Sequence, residues 1–261
     1  MFEFTLRNAL EQIARMAGVR EPQRVQPQAH VFVNSLGLPG KFDASAQRKA
    51  TPDMLCVHVT AVRGGYGVSR KLLTACRAEV DAGYAHTPTE LRGTLINTGG
   101  SLDEQAHRLA ILTRYKTAPY HFIGARNGDT VANNPMLRRT PHGNAGGNGG
   151  IGVAFDCAPD EDLSPETIEG FRYALNTALQ SLCTLQNSNE PAVTVTAHRC
   201  YSNQRSGDPG REIWRRVVLP VVANWPHNVS IDYRARQGTG KPIPNTWDDA
   251  ALFNAQGKLL K

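Results

Sequence analysis

Residues 54–60, Met-Leu-Cys-Val-His-Val-Thr, are nearly all apolar or β-branched, with one histidine among them. A strand with one wet face alternates apolar and polar residues. An unbroken run like this one needs cover on both faces, which places it inside a sheet flanked by helices. A chain built around such a strand is α/β, and the remaining segments fit that class.

Leu6, Leu10, Ile13 and Ala17 recur at helical spacing, and Gly18 is a suitable stop. Residues 19–53 are rich in Gln, Pro and Ala and read as an extended lead-in. A helix is expected over about 69–82. Ser101 and Glu104 form a capping-box pattern that opens a helix with Leu102, Ala106, Leu109 and Leu112 on one stripe. Residues 120–125 read as a strand, 126–129 as a hairpin turn in which Asn127-Gly128 suits two positive φ angles, and 130–132 as the returning strand. A glycine-rich loop from His142 to Gly150 precedes a strand at 151–156. Ser164-Pro165-Glu166 sets an N-cap, a proline at the first helical position and an acid at the positive end of the dipole. The helix that follows is lined by Ile168, Phe171, Leu175, Leu179 and Leu182. Residues 193–198 form the last core strand, and 211–219 read as helical. The expected architecture is a central mixed sheet of about five to six strands flanked by helices. It forms a single domain over 54–225, with extensions at 1–53 and 226–261 and Trp247 as an anchor in the tail.

Lysine and arginine exceed the acids by 29 to 23, a net charge of +6. That favours loose attraction to an anionic polymer. No basic run with interleaved aromatics occurs and no nucleic-acid motif is present, so nucleic acid is not the expected partner. No apolar run reaches the length of a membrane span. The amphipathic N-terminus does not read as a secretory signal, so synthesis in the cytoplasm without a signal peptide is expected. Five cysteines, Cys56, Cys76, Cys157, Cys183 and Cys200, lack any CxxC spacing and read as free buried thiols.

His58 lies near the end of one core strand and His198 at the end of another, and Asp208 follows in the turn Gly207-Asp208-Pro209-Gly210. Two imidazoles and a carboxylate suit a catalytic zinc, because three protein ligands leave the fourth position to water. The pattern alone is a weak signal: a lone strand histidine is more often a core residue bonded to a carbonyl, and an aspartate before proline more often an ordinary turn residue.

Four ordered segments sharpen the reading: Val57-His58-Val59-Thr60-Ala61; Pro119-Tyr120-His121-Phe122-Ile123 with Arg126-Asn127-Gly128; His142, Asn148 and Ile151-Gly152-Val153; and Ala197-His198-Arg199 with Asp208-Pro209-Gly210, ending at Trp214. From Val57 to Trp214 the chain resembles the type 2 N-acetylmuramoyl-L-alanine amidase family, which includes bacteriophage lysozyme-type amidases and peptidoglycan recognition proteins. The resemblance implies a zinc ion (Zn2+) held by His58, His198 and Asp208. It also implies hydrolysis of the bond between N-acetylmuramic acid and L-alanine, with peptidoglycan, a glycan with its peptide stem, as partner. By the same resemblance Tyr120 lies beside the metal as oxyanion donor or proton handler, and His142 contacts substrate or the scissile group. His121, pointing to the opposite face, is structural.

Two positions depart from the family pattern. Where many members carry a catalytic Glu this chain has Ala154, with Asp156 on the same strand face as a candidate replacement. Where many carry Lys two residues before the third ligand it has Ser206, and the neighbouring Arg205 offers a cation of similar reach. The glycine loop lacks a following Gly-Lys-Ser/Thr and leads into a strand, so it reads as a moving groove wall and not a phosphate cradle. The alternative to a hydrolase is a peptidoglycan-binding module without activity; loss of the acidic or thiol ligand marks such binders, and Asp208 is present. Endolysin, antibacterial effector with an immunity protein or secretion partner, and cytoplasmic recycling enzyme all remain open biological settings. The first two act in the periplasm or cell wall.

Overall fold

A computed structural model describes residues 30–34, 41, 47–143, 148–188, 190–226, 228–236 and 240–248. The helix expected over residues 4–17 lies outside the described residues, as do the centre of the glycine-rich loop and the end of the tail.

Seven strands form one mixed sheet: β1 (Val31–Val33), β2 (Met54–Val59), β3 (Phe122–Gly124), β4 (Thr130–Ala132), β5 (Ile151–Phe155), β6 (Ala192–Ala197) and β7 (Asn228–Ile231). Their order is β1-β4-β3-β5-β2-β6-β7. Every pairing is parallel except the β3–β4 hairpin. All six residues of β2 are buried, and the strand runs between β5 and β6, as its unbroken apolar run requires. The sheet exceeds the expected five to six strands by its two edges: β1 adds to β4 and β7 adds to β6.

Helices cover both faces. On one side lie α1 (Arg70–Asp81), α2 (Thr89–Asn97) and α3 (Leu102–Tyr115), whose Val80, Leu95 and Leu109 share a core with Phe32, Ile123 and Val131. On the other lies α4 (Pro165–Gln186), whose Phe171 stacks on Phe155 at 4.9 Å between ring centroids. The caps match the sequence. Ser101 and Glu104 close a reciprocal capping box at α3, and the Ser164 hydroxyl accepts the Thr167 amide at α4. Helix α2, with only Leu91 and Leu95 buried, has no such signature and is an addition to the sequence reading.

The hairpin differs from its expectation. Of Asn127 and Gly128 only Gly128 has positive φ, at 89°. The Gly128 amide donates to the Ala125 carbonyl and the Ala125 amide donates to the Asp129 carbonyl. This is a three-residue loop with glycine in the left-handed position, not the two-residue turn that needs two such angles.

The segment expected to be helical at 211–219 begins as α5 (Arg211–Ile213), widens into a π-helical turn at Trp214–Val218 and continues as α6 (Leu219–Ala223). Pro220 has no amide to give the carbonyl of Arg216, four residues back. Arg172 Nε supplies the missing donor to that carbonyl at 2.7 Å. Trp247, expected as an anchor, is buried near Trp214 and under the Arg199 guanidinium. All five cysteines are buried and free. Among the described residues no helix is long and apolar enough to cross a membrane.

Gly170, inside α4, lies directly against the hairpin turn: a Cβ there would sit 2.5 Å from Gly128 Cα. Glycine to alanine in a solvated helix adds about 1 kcal/mol of stability. Here the overlap with backbone reverses the sign, and Gly170→Ala is expected to destabilise by roughly 1–3 kcal/mol. A denaturant midpoint equal to or above that of the wild type would show that the turn yields.

Candidate metal centre

Three expected ligands converge. His58 sits near the end of β2, and His198 opens the short 3-10 turn His198–Cys200 that follows β6. Asp208 lies in the next turn, ahead of a cis bond to Pro209 and of Gly210 at φ 96°. A Cβ on Gly210 would meet the Pro159 carbonyl oxygen, so glycine lets this turn close against the loop after β5. One ligand atom each from His58, His198 and Asp208 lies within 4.8 Å of the others. The His58 and His198 rings are 4.5 Å apart between centroids.

The carboxylate is tied to both strands. Asp208 Oδ1 accepts the Val59 amide at 2.8 Å, and Oδ2 lies 3.0 Å from His198 Nδ1. Burial raises its pKa, while the bond and charge of His198 oppose that shift. Burial also lowers the pKa of His58 well below the ordinary imidazole value, helped by the neighbouring His198 and His142. His58 is thus a neutral imidazole, the form that can ligate.

Whether these residues fit a metal is answered by one atom. His58 Nδ1 is buried and has no hydrogen-bond partner. A buried nitrogen left without one costs about 1–3 kcal/mol, and a cation among His58, His198 and Asp208 would satisfy it. Two nitrogens and a carboxylate oxygen are a zinc donor set, with room for water in a tetrahedral arrangement. A second grouping, Cys56 with His58 and His142, is also close enough to hold an ion. Its thiol is driven well up by burial and by Asp208, away from the thiolate that binds zinc.

Tyr120 reaches the centre as expected: its ring lies 5.1 Å from that of His58. Asn134 Nδ2 holds the Tyr120 carbonyl at 2.6 Å, with Asn133 Nδ2 at 3.3 Å; nothing in the sequence pointed to these two asparagines. Burial, then Asp208, pushes the phenol pKa up. Arg205 is exposed, in the 3-10 turn Asn203–Arg205, and close enough for its charge to act on Tyr120, His58 and Asp208.

His142 was expected to face substrate, yet its Nδ1 lies 3.1 Å from His58 Nε2 and its Nε2 3.0 Å from the Gly150 carbonyl. Both nitrogens point into protein. His121 accepts the Gly152 amide at Nδ1 and donates from Nε2 to the Arg138 carbonyl, which is a structural role. Ala154 pairs with His58 across β5 and β2, so the position next to the ligand carries only a methyl group. Asp156, the candidate replacement base, accepts from the Thr60 hydroxyl, the Tyr66 amide and the Tyr115 hydroxyl. Its lone pairs hold the turn after β2 and are not directed at the centre. The glycine-rich loop is held at its far end: Arg48 donates to the carbonyls of Asn148, Gly149 and Gly150. A separate cavity of about 760 Å³ is lined by Arg77, Asp103, Arg108 and Asp129, and no residue of the centre borders it. Four of the charges that line it are paired, Arg77 with Asp103 and Arg108 with Asp129.

No sequence-family profile matches the chain, and no curated protein sequence does. Solved structures similar to it are amidase endolysins and peptidoglycan recognition proteins, the group that the sequence segments resemble. An endolysin N-acetylmuramoyl-L-alanine amidase from Clostridium intestinale is 10% identical over 72% of this chain and 90% of its own, with a TM-score of 0.38. The Ph2119 endolysin from a Thermus scotoductus bacteriophage is 14% identical over 64% and 82%, with a TM-score of 0.37. The Drosophila peptidoglycan recognition protein LB is 11% identical over 77% and 96%, with a TM-score of 0.41. At TM-scores below 0.5 these likenesses lend no weight to the chemistry, which rests on the residues of the centre.

Proposed function

We propose that this chain is a zinc-dependent amidase that hydrolyses the bond between N-acetylmuramic acid and L-alanine in peptidoglycan, acting in the cell wall. The observation that carries it is the convergence of His58, His198 and Asp208, with His58 Nδ1 buried and partnerless and the Tyr120 ring alongside. Support for the substrate comes from the order of the four segments that surround these residues, which resembles the type 2 amidases.

His58, His198 and Asp208 would hold the ion, which when bound supplies Lewis-acid chemistry and lowers the pKa of water toward 7. The chain's own groups do the rest. Tyr120, with its pKa raised, stays protonated at neutral pH and donates to the oxygen of the scissile carbonyl as negative charge builds there. Arg205 adds positive charge from the exposed side. Asp208, fixed by the Val59 amide, keeps His198 oriented through Nδ1.

Zinc binding is expected to stabilise the folded chain. At free zinc a hundred times Kd the gain is about 2.7 kcal/mol, or roughly 5–10 °C in a domain of this size. A chelator reverses it, and Asp208→Asn loses the shift. A melting temperature indifferent to zinc would remove the metal centre. In the enzyme assay, the zinc-loaded chain is expected to release stem peptides with a free L-alanine amine from purified sacculi. Tyr120→Phe is expected to cut that rate roughly 10²–10³-fold. A protein that sediments with sacculi but liberates no amine would instead be a binding module.

A further inference from the structure

The unexplained residue is His142, and the hydrogen bonds around it fix where every proton sits. The Gly150 carbonyl only accepts, so His142 Nε2, 3.0 Å away, carries a proton. A neutral imidazole has one N–H, which makes His142 Nδ1 an acceptor. The atom facing it at 3.1 Å is His58 Nε2, which must therefore be the donor. A neutral His58 protonated at Nε2 has a bare lone pair at Nδ1, and that is the nitrogen left without a partner. The opposite polarity needs a doubly protonated His142 sealed in protein. No carboxylate is bonded to either nitrogen to hold that second charge, and the Arg48 guanidinium already sits on the Gly150 oxygen beside it.

The far end of this chain of bonds is anchored. The Gly150 oxygen has two lone pairs. One takes the His142 proton and the other takes Arg48 Nη2 at 2.6 Å. Arg48 is held in turn through Nε on the Met136 carbonyl at 2.7 Å. The imidazole packs against β5 where residue 152 is glycine: a Cβ there would come within 2.7 Å of His142 Cγ.

We infer that His142 is a positioning residue, which takes the Nε2 proton of His58 and so presents the His58 Nδ1 lone pair to the metal, with Arg48 steadying the relay through the Gly150 carbonyl. This rests on the metal-centre reading above and deepens it. The role is not catalysis, since neither His142 nitrogen faces the open side.

Two measurements on the full chain test it. In metal-free protein with ¹⁵N-labelled histidine, long-range ¹H–¹⁵N correlations report the tautomer. His58 is expected to be protonated at Nε2 in the wild type and to become a mixture in His142→Ala. Zinc affinity, measured by competition with a chromogenic chelator, is expected to fall roughly 10–100-fold in His142→Ala, as is usual when a ligand's orienting partner is lost. His142→Asn, whose side-chain oxygen takes the place of Nδ1, is expected to recover most of that loss. Arg48→Met, away from the ligands, is expected to lose severalfold, with the fold intact. A wild type that takes up no zinc would overturn the metal-centre reading and this inference with it. A wild type that binds zinc but holds His58 as the Nδ1–H tautomer, or a His142→Ala variant with unchanged affinity, would overturn this inference alone.

Discussion

Taking a carboxylate out of water costs several kcal/mol unless donors surround it, and Asp208 sits where water is excluded, with 4% of its surface exposed. Its two oxygens are met by the Val59 amide and by His198 Nδ1, and only one of these partners can carry charge. Around it the remaining histidines, His58, His121 and His142, are kept neutral by the same burial. The pocket thus gathers one buried carboxylate, three rings that burial holds toward the neutral form, and a His58 nitrogen without a hydrogen-bond partner. Such a set of donors is compatible with a divalent cation. The surrounding fold can be read as the apparatus that keeps it dry and its ligands in place.

Some of that apparatus is written locally and some is not. Helices α3 and α4 announce themselves through Ser101 with Glu104 and through Ser164 with Pro165, because a cap is a contact between residues three apart. Strand β2 is legible because burial on both faces leaves His58 as its one polar position. The edge strands β1 and β7 are three and four residues long, too short for their alternation to stand out until β4 and β6 supply partners. The hairpin shows the limit of dipeptide rules, since Asn127-Gly128 marked the turn but the loop length set its type.

The centre divides in the same way. His58, His198 and Asp208 became candidates because strand ends and a turn placed ligand types where a site is built, and the ordered segments then selected them. The bonding of His142 had no such sign. Its partners are His58, 84 residues earlier, and a backbone carbonyl whose second donor, Arg48, lies 102 residues before it. No local pattern encodes a tautomer. Asp156 misleads for a related reason: it follows directly on β5, but whether its lone pairs were already taken depends on Thr60, Tyr66 and Tyr115 from other elements.

Ala154 bears on how the proposed reaction divides its labour. With a methyl group beside His58 and Asp156 committed to the turn after β2, β5 offers the centre no carboxylate base. The group that remains beside the ligands is Tyr120, and its protonation state decides what it can do. Burial and the Asp208 charge both disfavour the phenolate, so the hydroxyl keeps its proton and acts as a donor. A site without a carboxylate base, but with a retained hydroxyl and an exposed arginine at position 205, is weighted toward stabilising negative charge as it forms on the substrate. Acidifying water is then the work left to the ion that His58, His198 and Asp208 would hold, which is why the orientation of the His58 ring matters as much as its presence.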